Sequence, residues 1–156
     1  MTSNGQQIVR LEFTSAFEML DFVQVVSDHI ARDIGLDDDS LHWVGVAIRE
    51  SVINAIKHGN RNDAAKHVFI EFETATNADV PELLIRVRDQ GDGFDPETIA
   101  NPLDPENLLK SSGRGIFLIR NFMDDVQLQR APEGGMEIRM VKRVQPAAEA
   151  DGSSMA

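Results

Sequence analysis

Hydrophobic and polar positions alternate from Ile8 to Phe13, with Val9, Leu11 and Phe13 set against Ile8, Arg10 and Glu12. A period of two predicts a first strand. Ser15 and Glu18 then stand three apart, the pattern of a capping box at a helix start. Met19, Phe22, Val26 and Ile30 follow at helical spacing, and Gly35 is placed to end the helix. A second helix is predicted from the acidic run Asp37-Asp38-Asp39-Ser40, because acids favour the positive end of the helix dipole. Its expected buried stripe is Leu41, Val44, Ile48, Val52 and Ala55, with Gly59 as its stop.

Two further strands follow. Val68, Ile70 and Phe72 alternate with Phe69, Glu71 and Glu73, and a second alternation runs from Leu83 to Arg88. Asn77 to Pro81 reads as the hairpin loop between them. Residues 90–112 hold no clear periodicity, are broken by Gly91, Gly93, Pro96, Pro102 and Pro105, and are followed directly by Gly113. A loop this long inside a small domain is usually functional or mobile. A short helix is expected through Ile116, Ile119, Arg120 and Met123. A closing hairpin then joins Val126–Arg130 to Met136–Val144 around Glu133-Gly134-Gly135. Three helices and about five strands, partly segregated along the chain, predict an α+β fold built as a two-layer sandwich.

The tail from Gln145 onward is Ala, Gly, Ser and acid, too poor in apolar surface to fold. Residues 1–7 and 145–156 are therefore expected to be disordered, leaving one domain over 8–144. The whole chain has 156 residues, enough to bury a core without staples. It contains no cysteine, which excludes disulfides, zinc–thiolate sites and thiol nucleophiles. Its net charge of −11 argues against binding nucleic acid or an anionic membrane, since both need a basic footprint. With no long apolar run and no signal-peptide pattern at the N-terminus, a cytoplasmic protein is expected.

Three clusters carry candidate chemistry. On the second helix, Glu50 and Asn54 are four apart and share a face, away from the apolar stripe. A carboxylate and an amide oxygen projecting together suit a hard cation and its phosphate ligand, although such pairs are also common on solvated helix faces. The second cluster, Asp89-Gln90-Gly91-Asp92-Gly93-Phe94-Asp95, follows a predicted strand. Its glycines let a ligand approach the backbone, and Asp89 can accept a hydrogen bond from an exocyclic amine. A plain turn would look similar, while an EF-hand is excluded because its twelfth position, counted from Asp89, is Ala100. The third, Ser111-Ser112-Gly113-Arg114-Gly115, reads as a glycine-rich turn ahead of a helix. Such a turn offers unpaired N–H groups to an anion, but lacks both the P-loop and the Rossmann pattern.

Taken in order, Glu50-x-x-x-Asn54-Ala55-x-x-His58-Gly59, Asp89-x-Gly91-x-Gly93 and Gly113-x-Gly115 resemble the GHKL ATPase superfamily. The run from Gly113 to Val126 is especially similar to its anti-sigma-factor serine kinases, and the likeness covers roughly residues 8–143. The resemblance implies a Bergerat-type sandwich that binds ATP and Mg²⁺. It implies Glu50 as general base, Asn54 as the magnesium ligand and Asp89 as the group that recognises the adenine amine. Gly91 and Gly93 would floor the base pocket, residues 95–112 would form a lid, and Gly113 and Gly115 would bring amides to the phosphates. Family members often place an arginine just ahead of this second glycine pair. Here Ser111 and Ser112 stand there, which leaves Lys110 and Arg114 as the candidate basic contacts.

The function implied is that of a serine/threonine protein kinase that phosphorylates an anti-sigma antagonist protein and sequesters a sigma factor, possible as a homodimer. The alternative is an ATP-binding module that sequesters partners without phosphorylating them. A phosphorelay kinase is not expected. The stretch ahead of Ile8 is too short for a phospho-accepting helix pair, and His29, His42, His58 and His67 lie in no such setting. Trp43 is expected in the core or at a dimer contact.

Overall fold

A computed structural model describes residues 6–76, 79–92 and 111–145 of the chain, without the side chains of 111–116. The expected disordered ends fall outside the described residues, except at their inner margins. Strand β1 spans Gln6–Thr14. It begins earlier than expected because Gln6 and Gln7 pair with Ala75 and Thr74 of β2, and Gln6 Nε2 donates to Glu73 at 2.6 Å.

A short 3₁₀ turn at Phe17–Met19 leads into helix α1, Leu20–Asp33. Helix α2 spans Asp38–Asn54 and continues into one π-helical turn, Ala55–Gly59. Strands β2, His67–Ala75, and β3, Glu82–Arg88, follow. Helix α3, Ser111–Phe122, precedes β4, Asp125–Arg130, and β5, Met136–Arg143. The strands form one antiparallel sheet in the order β1-β2-β3-β5-β4, so both expected hairpins are present.

Period two sorts the sheet into two faces. Phe13, Val68, Ile70, Phe72, Leu83, Ile85, Val87, Ile138 and Met140 point into one core with residues of all three helices. The expected α2 stripe, Leu41, Val44, Ile48, Val52 and Ala55, is wholly buried there. The opposite face is charged. Arg10, Glu71 and Arg86 stand in register across β1, β2 and β3, and Glu71 pairs with both arginines. Burial pushes the Glu71 pKa up, but the hydrogen bonds and charges of Arg10 and Arg86 outweigh it and leave the carboxyl below its ordinary range.

Three local expectations change. Helix α1 buries Leu20, Val23, Ser27, Ile30 and Ala31, while Phe22 is 51% exposed. The stripe is rotated because a serine takes one buried position, and its Oγ finds no partner among the described residues. Ser15 does not cap the helix. Its Oγ donates instead to the Lys66 carbonyl at 2.9 Å, and no side chain caps the 3₁₀ turn. Finally, Gly113, Arg114 and Gly115 lie within α3, not in a turn ahead of it. A helical glycine costs only about 1 kcal/mol relative to alanine, and packing readily overrides that.

The remaining helix ends follow the sequence. The Gly35 amide reaches the Arg32 carbonyl at 3.0 Å and the Leu36 amide reaches Ala31 at 3.1 Å, with Gly35 at φ +100°. This closes α1 as a Schellman motif. The Asp37 carboxylate caps α2 by accepting from the Ser40 amide at 2.8 Å. That bond leads the causes holding the Asp37 pKa below its ordinary value.

Candidate functional site

Glu50 and Asn54 lie on one half-buried face of α2, beside the core stripe. Neither side chain forms a hydrogen bond or ion pair with another described residue, so both are available to a ligand. Directly after Asn54 the helix widens. The Asn60 amide reaches back five residues to the Ala55 carbonyl at 2.7 Å, and the Asn62 amide reaches Ile56 at 2.8 Å. Single π turns of this kind are frequent at functional sites. Arg61 and Asn62, at φ 54° and 60°, then turn the chain away. Gly59 is the last helical residue, as expected, and the left-handed conformations that turn the chain belong to Arg61 and Asn62.

The role of Gly59 is space. A Cβ there would lie 2.0 Å from Oδ2 of Asp89 and 2.3 Å from its Cγ. The end of α2 thus rests directly on the carboxylate that follows β3. A Cβ at Gly91 would lie 2.0 Å from the Gly59 carbonyl oxygen, and one at Gly135 would lie 2.1 Å from the Asp89 carbonyl oxygen. Three glycines from three segments let the backbone close around one aspartate.

Asp89 is 5% exposed. A buried carboxylate is costly unless hydrogen-bonded. Oδ1 accepts from the Gly91 amide at 2.9 Å and the Met136 amide at 3.1 Å, while the Asp89 amide donates to the Met136 carbonyl at 3.1 Å. Every hydrogen bond that described residues make to this carboxylate falls on Oδ1. Oδ2 faces Gly59 at the end of the helix that carries Asn54 and Glu50. From Glu50 to Gly59 the helix advances about 13 Å, a span that an extended nucleoside triphosphate can bridge.

The segment after Asp89 is pinned on several sides. The Gln90 amide donates to Asn60 Oδ1 at 2.7 Å, and Gln90 Oε1 accepts from the His67 amide at 2.7 Å. Arg130 on β4 donates to the Asp92 carbonyl at 3.2 Å. Asn60, His67 and Arg130 were not expected at the site. Asn60 sits in a polar run that reads as an ordinary turn, and nothing local marks the other two.

The structure therefore brings Glu50, Asn54, Asp89 and Gly91 to one end of α2. Gly93, Lys110 and residues 95–110 of the expected lid lie outside the described residues, as does the side chain of Arg114, while the lid's last two residues, Ser111 and Ser112, instead open helix α3. Gly113 and Gly115 are described only as backbone of α3. That helix packs along α2, and its end is fixed by a flat stack of Phe122 on Trp43, with centroids 3.7 Å apart and planes 8° from parallel. Trp43 is thus a contact between helices.

Among the described residues no group of three His, Asp or Glu side chains could hold a metal unaided. A cation at Asn54 would use its single amide oxygen and take its other ligands from phosphate and water. This suits magnesium, which binds oxygen and commonly arrives with substrate phosphates. No described helix is long and apolar enough to cross a membrane.

Comparison with known proteins agrees with this architecture. Residues 14–142 match the histidine kinase-like ATPase domain family. The chain is 33% identical to an anti-sigma F factor of Oceanobacillus iheyensis over 138 residues, 86% of this chain and 90% of that protein. It is 30% identical to the anti-sigma F factor of Bacillus subtilis over 140 residues, 87% and 92% of the two chains. It is 27% identical to the serine-protein kinase RsbW of Staphylococcus aureus over 146 residues, 89% and 88% of the two.

Proposed function

The chain belongs to the histidine kinase-like ATPase domain family, and on that premise we propose that it is an ATP-dependent serine/threonine protein kinase acting as an anti-sigma factor. It binds Mg²⁺-ATP, phosphorylates an antagonist protein and sequesters a sigma factor. The observation that carries the reading is the placement of Asp89. A buried carboxylate with one oxygen held by two amides faces the end of the helix that carries Glu50 and Asn54.

In this reading Asp89 accepts from the adenine amine. Gly91 and Gly93 keep the floor open to the base. Asn54 holds magnesium, which when bound neutralises phosphate charge. Glu50 takes the proton from the attacking serine hydroxyl. The unbonded amide of Gly113 in the first turn of α3 faces the phosphates, Gly115 leaves them room by having no side chain, and Lys110 or Arg114 is the basic contact. Positioning and electrostatics supply most of the catalysis, as in phosphoryl transfer generally.

The relatives' names support the partners. A charge of −11 also complements a basic partner and speeds encounter more than it tightens binding. The cytoplasm is the expected compartment, and a homodimer is the proposed assembly. The test is co-incubation of the protein, Mg²⁺-ATP and a candidate antagonist, read by mass spectrometry. A gain of one phosphate on an antagonist serine is expected, and it should be lost in Glu50→Ala while ATP binding persists. Partner binding with no phosphate gained would instead assign a silent ATP-binding module.

A further inference from the structure

Asn60 is 0% exposed, yet it is followed by three exposed residues, Arg61, Asn62 and Asp63. Its carboxamide uses every hydrogen it has. Nδ2 donates to Ser15 Oγ at 2.8 Å and to the His67 carbonyl at 3.0 Å, and Oδ1 accepts from the Gln90 amide at 2.7 Å. A carboxamide offers two donors and one acceptor oxygen, so each is matched. One side chain thereby ties the π turn of α2 to the end of β1, the start of β2 and the residue after Asp89.

These bonds differ in what they fix. The contacts to Ser15 and His67 tie Asn60 to the sheet edge. The contact to Gln90 fixes the peptide plane between Asp89 and Gln90, and so the height of Asp89 against Gly59. The carboxylate's own bonds to Gly91 and Met136 orient it within its loop. They do not tie that loop to the helix. Among the described residues, Oδ1 of Asn60 is the side-chain acceptor that makes this tie.

We propose that Asn60 is a positioning residue for nucleotide recognition, setting Asp89 in register with Asn54 and Glu50 through its bond to the Gln90 amide. The inference rests on the nucleotide reading of the site. It predicts a defect in ATP binding that leaves the chemical step intact, because Asn60 touches neither the base nor the reacting atoms.

The test uses the full chain in four forms: wild type, Asn60→Ala, Asn60→Asp and Ser15→Ala. ATP dissociation constants are measured by calorimetry, kcat and KM by phosphate transfer, and Tm by melting. Asn60→Ala should raise Kd and KM for ATP about tenfold with kcat little changed, the scale of one lost buried hydrogen bond. Asn60→Asp keeps an acceptor for the Gln90 amide and faces the His67 carbonyl with a charge. It should lose Tm yet recover most of the ATP affinity. Ser15→Ala should lower Tm with ATP affinity unchanged.

An unchanged KM in Asn60→Ala overturns the proposal. So does a KM rise in Ser15→Ala equal to that in Asn60→Ala at matched Tm loss, which would mean general loosening. If Asn60→Ala does not fold, Asn60→Asp decides by its affinity, and failure of both to fold assigns Asn60 to the fold alone and rejects the proposal. Failure of the nucleotide reading looks different: wild type would not bind ATP, or Asp89→Asn would bind it as tightly as wild type.

Discussion

Gly59 and Asp89 are packed so closely that a single methyl group between them would lie 2.0 Å from the carboxylate oxygen. This contact joins the helix bearing Glu50 and Asn54 to the group proposed to read the base. Gly59→Ala must move either the helix end or the Asp89 loop. Overpacking of this kind costs about 1–3 kcal/mol, a drop of several degrees in Tm for a domain of this size. The further expectation is that ATP raises the Tm of Gly59→Ala less than that of wild type. Equal ATP-induced shifts in the two proteins would show that the contact is only structural.

Trp43 is the chain's single tryptophan, and it stacks on Phe122 at the end of α3. Its emission is therefore a local probe of how α3 docks on α2. Phe122→Ala should red-shift that emission and destabilise the domain by about 2 kcal/mol, combining lost burial with lost stacking. Because α3 carries Gly113 and Gly115, ATP should protect Trp43 from acrylamide quenching in wild type. Quenching that is insensitive to ATP would detach α3 from the nucleotide site.

Much of this was legible in the sequence for physical reasons. The strands alternate with period two, and α2 repeats Leu41, Val44, Ile48, Val52 and Ala55 without a polar interruption. Its N-terminal acids and the glycine ending α1 act locally, so local pattern reveals them. Helix α1 departs from its apparent pattern because Ser27 takes a core position while Phe22 faces solvent, which turns the stripe by about one residue. Ser15 departs from its local capping pattern because its hydroxyl is recruited by Asn60 and Lys66, both distant in sequence. The same limit hid the supports of Asp89. Gly91 could be suspected from spacing, but the approach of Gly59 and Gly135 arises only when three separate segments meet.

The acid limb of stability should be set by two carboxylates among others. Asp37 and Glu71 both have pKa values below their ordinary 3.8 and 4.5 in the folded chain. Depressed folded pKa values contribute stability above the unfolded values, and that contribution is lost as pH falls through the folded ones. Stability from these groups should thus hold from neutral pH to the ordinary carboxylate range and fall below it. Asp37→Asn keeps a good capping side chain and Glu71→Gln keeps the shape, but neither titrates. The double variant should lose less stability between pH 6 and pH 3, at roughly unit pH steps, when followed by urea unfolding. An identical acid slope in both proteins would remove these two groups from the account.

Magnesium dependence separates the two polar residues on α2. Asn54 offers one neutral amide oxygen, and no cluster of acids among the described residues offers a stronger cation site. Magnesium should therefore bind with the triphosphate, not before it. Chelation by EDTA should weaken ATP binding to wild type, and magnesium alone should leave the Tm unchanged. Asn54→Ala should bind ATP equally with and without magnesium, because the protein's hold on the ion is gone. Glu50→Gln should keep the magnesium-dependent gain in affinity, yet transfer phosphate about 10²–10⁴-fold more slowly, the usual contribution of a positioned general base. Calorimetry in magnesium and in EDTA, with single-turnover transfer assays, reads both effects. If Glu50→Gln loses the magnesium gain and Asn54→Ala retains it, the assignments on α2 must be exchanged. The carboxylate would then be the metal ligand, and the proton acceptor would have to be sought elsewhere.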